Sequence, residues 1–355
     1  MGKHSKSMSG VTVGIDLGDK FSCLCVLDES GEITEETRVA TTPKALGRRM
    51  SEMARCRVVV EVGTHSPWVQ RQLDGLGHEV IVANARQVRL IHKSPTKNDR
   101  LDAERLARLG RMDPKLLSPL RHRKAQTQVD RALLRSRGAL VETRTKLINH
   151  VRGIVKSCGA RLRSCSARSF HRQVAEELPE ELKSNLLPML TVIETLNATI
   201  RDYEKRIEHV ATERYPETEL LRQVTGVGLL TALSYVVTIE DPHRFYRSRT
   251  LGAYLGLRPR ESQSGQRAPE LRITKAGDTE LRRLLVGSAH YILGPFGVDS
   301  DLRRWGLSLA GRGRKNAKKR AVVAVARKLA VLLHRLWVTG EVYEPLRVHP
   351  AGSAA

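Results

Sequence analysis

Residues 11–27, VTVGIDLGDKFSCLCVL, decide how the chain begins. Val11–Gly18 is an apolar, β-branched run that carries an aspartate near its end. A tight Gly-Asp-Lys turn follows, and Phe21–Leu27 is a second apolar run, so both read as strands. Working outward, Glu32–Ala40 alternates charged and apolar residues as a third strand, and Pro43 opens a helix over Lys44–Arg55. Arg57–Val62 (RVVVEV) is a short buried strand, Pro67–Gly77 a helix and His78–Ala83 another strand. Asp99–Leu109 is a helix with apolar positions Leu101, Leu106 and Leu109.

Three strands, helix, strand, helix, strand, helix is a mixed-sheet α/β order of the ribonuclease-H type, not a uniform βαβ alternation. Two long helical stretches come next. In Val129, Leu133, Ser136, Leu140, Thr143, Leu147, His150 and Ile154 the steps alternate between three and four residues. Leu186, Met189 (or Leu190), Ile193, Leu196, Ile200, Tyr203, Ile207 and Val210 do the same. That is the period of a coiled-coil seam, and an antiparallel hairpin turning around 158–178 is the economical arrangement. Gly226–Gly228 then introduces a mostly helical C-terminal domain reaching about Tyr343. The expected organisation is an α/β domain over 1–112, a coiled-coil helical linker over 113–216, a helical domain over 217–343 and a flexible tail over 344–355.

The 355 residues carry a net charge of +23, which argues against a secreted hydrolase or an enzyme of cationic substrates and favours a polyanion partner. The charge is uneven: +4 over 1–112, +11 over 113–170, −5 over 171–220 and +13 over 221–355. A nearly neutral chemical domain is thus flanked by elements suited to holding nucleic acid. Candidate contacts are Arg121, Arg123, Lys124, Arg131 and Arg135 in the first basic block. In the second they are Arg258, Arg260, Arg267, Arg312, Arg314, Lys315, Lys318, Lys319 and Arg320. Aromatic residues make up only 4%, so backbone and shape readout would outweigh base stacking. No apolar run approaches the ~18 residues of a membrane span, and MGKHSKSMSG lacks the apolar core of a secretory signal. The five cysteines form no Cys-x-x-Cys pair, which fits a reduced cytosolic state. The expected localisation is cytoplasmic and, for a protein of DNA, nucleoid-associated.

Four carboxylates carry the first chemical signal. Asp16 closes the first strand, Glu61 closes VVVE, and Asp99 and Asp102 lie three apart on a helix in KNDRLDAE. Acids converging from two strand ends and one helix face need a cation, and hard Mg²⁺ or Mn²⁺ suits such oxygen donors. Two such ions would serve phosphoryl transfer. Each acid has a plainer reading as well. Asn98 or Asp99 could cap the helix, and strand-Asp-Leu-Gly also opens the phosphate loop of actin-like ATPases. That fold needs a second Gly-rich loop and an adenosine motif, which the sequence lacks.

The second signal is LGLRPRESQSGQRAPELRITKAGDTELRRLL, residues 255–285. Ser264 precedes Gly265 among Arg258, Arg260, Arg267 and Arg272, and guanidinium forks match phosphate oxygens. A serine needs such polarisation, or a base, to become a nucleophile. Ser262 is a competitor, and a plain Ser-Gly turn with arginines gripping a backbone is the bland alternative. VTGVGLLTALSYVVTI (224–239) has the Gly-x-Gly and apolar helix of helix-hairpin-helix elements, where backbone amides and a helix N-terminus meet phosphate.

Jointly, VGIDLG, VVVEVGTHSPW, KNDRLDAERLARL, TGVGLLTAL and GLRPRESQSG…RITKAGDTELRRLL resemble the DEDD transposases of insertion sequences, relatives of pilin-gene-inverting recombinases. The resemblance spans about 11–340; the extension MGKHSKSM departs from the pattern. It implies a RuvC-like domain joined by a coiled coil to a serine transposase domain. Asp16, Glu61, Asp99 and Asp102 stand where the family's metal-binding catalytic acids stand, and Ser264 matches the serine that becomes covalently linked to DNA. The resemblance also implies Mg²⁺ (or Mn²⁺), double-stranded DNA at element ends and target, and an element-encoded bridge RNA. A homo-oligomer, a dimer of dimers with composite sites, is implied too. Two other functions fit the motifs: a RuvC-like Holliday-junction nuclease that uses activated water, and a non-catalytic nucleic-acid-binding protein.

Overall fold

The computed structural model describes residues 10–84, 98–262, 271–313 and 316–347, and it divides into two compact units, Met1–Lys124 and Ala125–Ala355. In the first unit, β1 (Thr12–Asp16), β2 (Phe21–Leu27) and β3 (Ile33–Ala40) form an antiparallel meander. Then follow α1 (Pro43–Ser51), β4 (Arg57–Glu61), α2 (Ser66–Gly75), β5 (Glu79–Ala83) and α3 (Asp99–Met112). β4 pairs parallel to β1 and β5 parallel to β4, giving the sheet order β3-β2-β1-β4-β5. This is a mixed five-stranded sheet, compatible with the ribonuclease-H-type arrangement.

Strand alternation sorts the two faces. Val13, Ile15, Val58 and Val60 pack on Leu46 and Met50 of α1 and Val69 and Leu73 of α2. The opposite face takes α3, whose Ala103, Leu106 and Ala107 meet Cys25, Leu27, Val59 and Ile81. The approach is close enough to require glycine. A Cβ on Gly14 would overlap the backbone of Ala103 and Ala107, and one on Gly110 would overlap Val59. Gly14 of VGIDLG is therefore a helix-docking residue.

The second unit begins with two long antiparallel helices, α4 (Ala125–Ser157) and α6 (Glu180–Arg214). The short α5 (Phe170–Val174) packs under their turn with Val151, Val155, Leu186 and Ile193. Cross-links recur every seven residues along α4: Asp130–Arg214 at 2.7 Å, Arg137–Glu204 at 2.6 Å, and Arg144 to Asn197 at 2.7 Å. In α6 the buried residues include Leu186, Ile193, Ile200, Ile207 and Val210 of the expected seam. In α4 the seam differs from expectation. Val129 is 62% exposed, Ser136, Thr143 and His150 are exposed, and the buried set is Thr127, Asp130, Leu134, Gly138, Ile148, Val151 and Val155. Most of the buried stripe lies one position on, and apolar periodicity misses it because Thr127, Asp130 and Gly138 are polar or lack a side chain. Asp130 is satisfied by Arg214, by Tyr215 at 2.8 Å and by Gln126 at 3.1 Å.

Beyond the hairpin come α7 (Glu217–Arg222), α8 (Leu229–Ile239), α9 (Leu251–Tyr254), α10 (Thr279–Leu293), α11 (Asp301–Ala310) and α12 (Ala317–Thr339). α8 is apolar all round because it is buried all round. Tyr235 and Val236 face Leu285, Val325 and Leu329, while Leu233 and Val237 face Leu134 and Ile207 of the hairpin. The Tyr235 hydroxyl escapes a desolvation cost by donating to the Ala330 carbonyl at 2.7 Å. The stretch expected to fray from 344 is tied down as far as Arg347. Asp301 N–H donates to the Pro345 carbonyl at 2.8 Å, and Arg347 N–H donates to the Asp301 carboxylate at 2.9 Å. Among the described residues, no helix is long and apolar enough to cross a membrane.

Candidate active site and nucleic-acid interface

Register places the first two acids. Ile15 pairs with Val60 across the parallel β1–β4 ladder, and Asp16 and Glu61 follow as the last residues of those strands. Gly14 and Val59 touch α3, so Asp16 and Glu61, two residues on, leave the sheet on that same face. Helix direction places the other two. Arg57 donates to the Gly110 carbonyl at 3.1 Å and Arg111 to the Gly10 carbonyl at 3.2 Å, fixing the C-terminal end of α3 at the amino ends of β4 and β1. The first turn of α3, with Asp99 and Asp102, therefore sits toward the carboxyl ends where Asp16 and Glu61 stand.

The electrostatics agree. Cys23, the cross-strand partner of Asp16, has its thiol pushed up by burial, then by the charges of Asp99 and Asp16. Two acids from distant parts of the chain thus act on one sulfur. Asn98, not Asp99, caps α3, its side chain accepting the Arg100 N–H at 3.1 Å. Asp99 is exposed; Asp102 is half-buried and paired with Arg105 at 3.1 Å. Among the described residues, no three His, Cys, Asp or Glu side chains lie close enough to share one ion. The donor set still fits a hard divalent cation, since it is all carboxylate oxygen, drawn from the carboxyl ends of two interior strands and from the helix on that face.

The loop after Glu61 contributes residues whose pairing the motif VGTHSPW did not disclose. Trp68 Nε1–H donates to His65 Nδ1 at 3.1 Å, which leaves the ring proton on Nε2, 3.8 Å from Asp19. Ser66 is fully buried, accepts the Gly63 N–H at 2.9 Å and lies 2.8 Å from His122 Nε2. Burial, then Arg71 and Arg123, push the His122 imidazole below its ordinary value. This Ser–His contact, 56 positions apart, fastens the loop and offers no accessible nucleophile. Sequence spacing carries no sign of such a pair.

In the second unit, Ser264, Gly265 and Arg267 lie outside the described residues, as do Arg314 and Lys315. The stem that leads to Ser264 is described. Arg260 N–H donates to the Arg272 carbonyl and Thr274 N–H to the Arg258 carbonyl, both at 2.9 Å, around an antiparallel Pro259–Ile273 bridge. Buried Arg282 clamps its base, donating to the carbonyls of Leu255 at 3.0 Å and Ala276 at 2.6 Å. Gly256 and Gly277 both have positive φ, and a Cβ on either would strike backbone across the stem. Ser262, Arg258, Arg260 and Arg272 are exposed on this ribbon, with Arg258 paired to Glu261.

The other basic candidates divide. Arg121, Lys124 and Arg135 are exposed and Arg123 is half-buried. Arg131 is engaged by Asp278, the N-cap of α10, so part of its charge is used within the fold. Arg312 is exposed, as are Lys318, Lys319 and Arg320 in the first turn of α12, where the helix dipole disfavours cations. Gly226 and Gly228 open onto a groove of about 510 Å³ beside Thr231, Arg283 and Tyr291.

Comparison with known proteins agrees with this layout. A DEDD-type transposase model for IS110 elements matches residues 13–159, and the transposase IS116/IS110/IS902 family model matches residues 218–294. The transposase for insertion sequence element IS1111A of Coxiella burnetii is 30% identical over 350 residues, covering 96% of this chain and 93% of that protein. The transposase for insertion sequence element IS1328 of Yersinia enterocolitica is 28% identical over 345 residues, covering 95% and 99%. A probable family 20 transposase of Pseudomonas aeruginosa is 29% identical over 299 residues, covering 82% and 86%. A mixed sheet with carboxylates at the ends of its interior strands, in a chain that also carries strongly basic helices, marks an enzyme of nucleic acids. The chain belongs to the IS110-type family of insertion-sequence DEDD transposases. It is a DNA-cutting enzyme of transposition.

Proposed function

We propose that this transposase cuts and rejoins DNA through a covalent phosphoserine intermediate. Ser264 would be the nucleophile, and Asp16, Glu61, Asp99 and Asp102 would hold Mg²⁺ or Mn²⁺. The observation that carries the acid assignment is the placement of Asp16 and Glu61 at neighbouring strand ends, on the face covered by α3. When bound, such ions neutralise charge on a reacting phosphate and make a nearby hydroxyl more acidic. The chain supplies the rest. Ser264 Oγ bonds to phosphorus while its proton passes to a base, and the departing sugar oxygen leaves protonated. Attack by a sugar hydroxyl of a second strand reverses the step and joins the strands. Arg258, Arg260 and Arg272 on the clamped stem would grip the flanking phosphates. The stem's hydrogen bonds, anchored on Arg282, hold the two chain segments that lead into and out of the serine-bearing sequence.

Double-stranded DNA at element ends and target is the substrate in this reading, an element-encoded bridge RNA directs the choice of site, and a homo-oligomer assembles complete sites. The basic blocks support a polyanion of either kind. The test is recombination of a two-ended DNA substrate in the presence of RNA co-purified from the native locus. Asp16→Ala and Ser264→Ala should each abolish strand exchange while retaining nucleic-acid binding. Excision by both variants would overturn the assignment.

A further inference from the structure

Two neighbouring rungs of the α4–α6 hairpin are built differently. Arg137 meets a carboxylate, Glu204, at 2.6 Å, and Glu204 also takes Arg168, from the turn before α5, at 3.0 Å. Seven residues along, Arg144 meets only the side-chain oxygen of Asn197, at 2.7 Å. The amide's orientation is fixed, because its nitrogen donates to the Arg168 carbonyl at 3.2 Å and lies 3.3 Å from His171 Nδ1. Among the described residues, three guanidiniums therefore share one carboxylate. The Nε groups of both Arg137 and Arg144 are buried without an acceptor. Burial, then the charges of Arg137 and Arg168, push the Arg144 guanidinium below its ordinary value, against a weaker opposing pull from Glu204. Other titratable groups at the turn are His171 and the mostly exposed Glu194, 3.6 Å apart.

An uncompensated cationic cluster at a half-buried position is costly unless an anion completes it. Asn197 is the informative residue. It is 6% exposed, and an aspartate in its place would neutralise Arg144 from within. The amide instead holds the guanidinium and leaves its charge unspent. Arg168, with 70% of its side chain exposed, opens the cluster to solvent. Guanidinium forks from one helix face and from the turn before α5 suit a tetrahedral oxyanion.

We propose that Arg137, Arg144 and Arg168 form a phosphate site on the helical hairpin that seats one backbone phosphate of a nucleic-acid strand. The choice of a strand over a free anion rests on the reading of the chain as a nucleic-acid-handling enzyme, supported by the +11 charge of residues 113–170.

The test uses full-length protein. Inorganic phosphate, against chloride at equal ionic strength, should raise the thermal midpoint of the wild type and leave Arg144→Gln unmoved. Arg168→Gln, at an exposed position, should blunt the response without harming the fold. Asn197→Asp should raise the midpoint in the absence of phosphate and abolish the response. In oligonucleotide titrations over a salt series, Arg144→Gln and Asn197→Asp should each flatten the log K against log salt slope. One lost contact corresponds to about 0.7 for single strands or about 0.9 for duplex. A phosphate response with unchanged slopes would overturn the strand assignment in favour of a free anion. Wild-type behaviour of both variants in both assays would overturn the site itself. Asp16→Ala should keep both responses, so failure of the catalytic reading is distinguishable from failure of this one.

Discussion

Asp16 and Glu61 end adjacent parallel strands, each one residue past the Ile15–Val60 pair, and both leave the sheet on the face that α3 covers. Their proximity follows from hydrogen-bond register and from the two-residue alternation of strands, not from chance contact. The first turn of α3 reaches the same strand ends because α3 packs on Gly14 and Val59 through Ala103, Ala107 and Gly110.

That dependence makes Gly14 a sensitive position. Gly14→Ala puts a methyl group into the backbone of Ala103 and Ala107. α3 must shift, at an expected cost of about 1–3 kcal/mol. Thermal unfolding should show the loss, and DNA cleavage should fall further than the lost stability explains, because Asp99 and Asp102 ride on that helix.

If Asp16, Glu61, Asp99 and Asp102 together hold a divalent ion, as proposed, ion binding should stabilise the fold. At ten times its dissociation constant, a bound Mg²⁺ stabilises the folded state by about 1.4 kcal/mol. The wild type should therefore unfold at a higher temperature with Mg²⁺ or Mn²⁺ than with chelator, and Asp16→Asn should lose most of that difference. Cleavage should stop with chelator and return with either ion.

Alkaline stability has a specific site. Tyr215 is pushed up to about 12 by burial and by its hydrogen bond to Asp130. The folded state then keeps a proton that the unfolded chain releases near pH 10. Stability from this group is complete below pH ~10 and declines as pH rises toward about 12. Denaturant midpoints measured across that window should fall for the wild type and fall less steeply for Tyr215→Phe.

Much of this architecture is legible in the sequence, for physical reasons. The strands of the first unit are short β-branched runs set off by turn residues, and Asp16 and Glu61 sit at their ends in plain view. The α4 seam is less legible. Asp130 and Gly138 belong to the buried stripe, but apolar periodicity selects Val129 and Leu133. A buried carboxylate is invisible to a hydrophobic pattern until Arg214 and Tyr215 are seen beside it. The same holds for the Ser66–His122 contact and for the rungs at Arg137 and Arg144, which depend on partners more than 50 positions away. Asn98, rather than Asp99, as the cap of α3 is a one-residue distinction that only backbone geometry makes.

Arg282 should prove a positioning residue. It is buried and supplies the donors that close the base of the stem on Leu255, Ala276 and Thr279. Arg282→Lys cannot reproduce that fork, and each lost charged hydrogen bond is worth about 1.5–3 kcal/mol. Cleavage should drop by at least tenfold while oligonucleotide affinity stays within about twofold of the wild type, since a 1.4 kcal/mol change already corresponds to a factor of ten.

A covalent link between Ser264 and DNA is directly trappable. Full-length protein should be incubated with Mg²⁺, its co-purified RNA and a labelled DNA substrate, then denatured and resolved for protein–DNA adducts. The wild type and Ser262→Ala should trap DNA on a peptide containing Ser264, and Ser264→Ala should trap none. DNA cut without any adduct, or an adduct that persists in Ser264→Ala, would contradict the account and return the chemistry to activated water or to another residue.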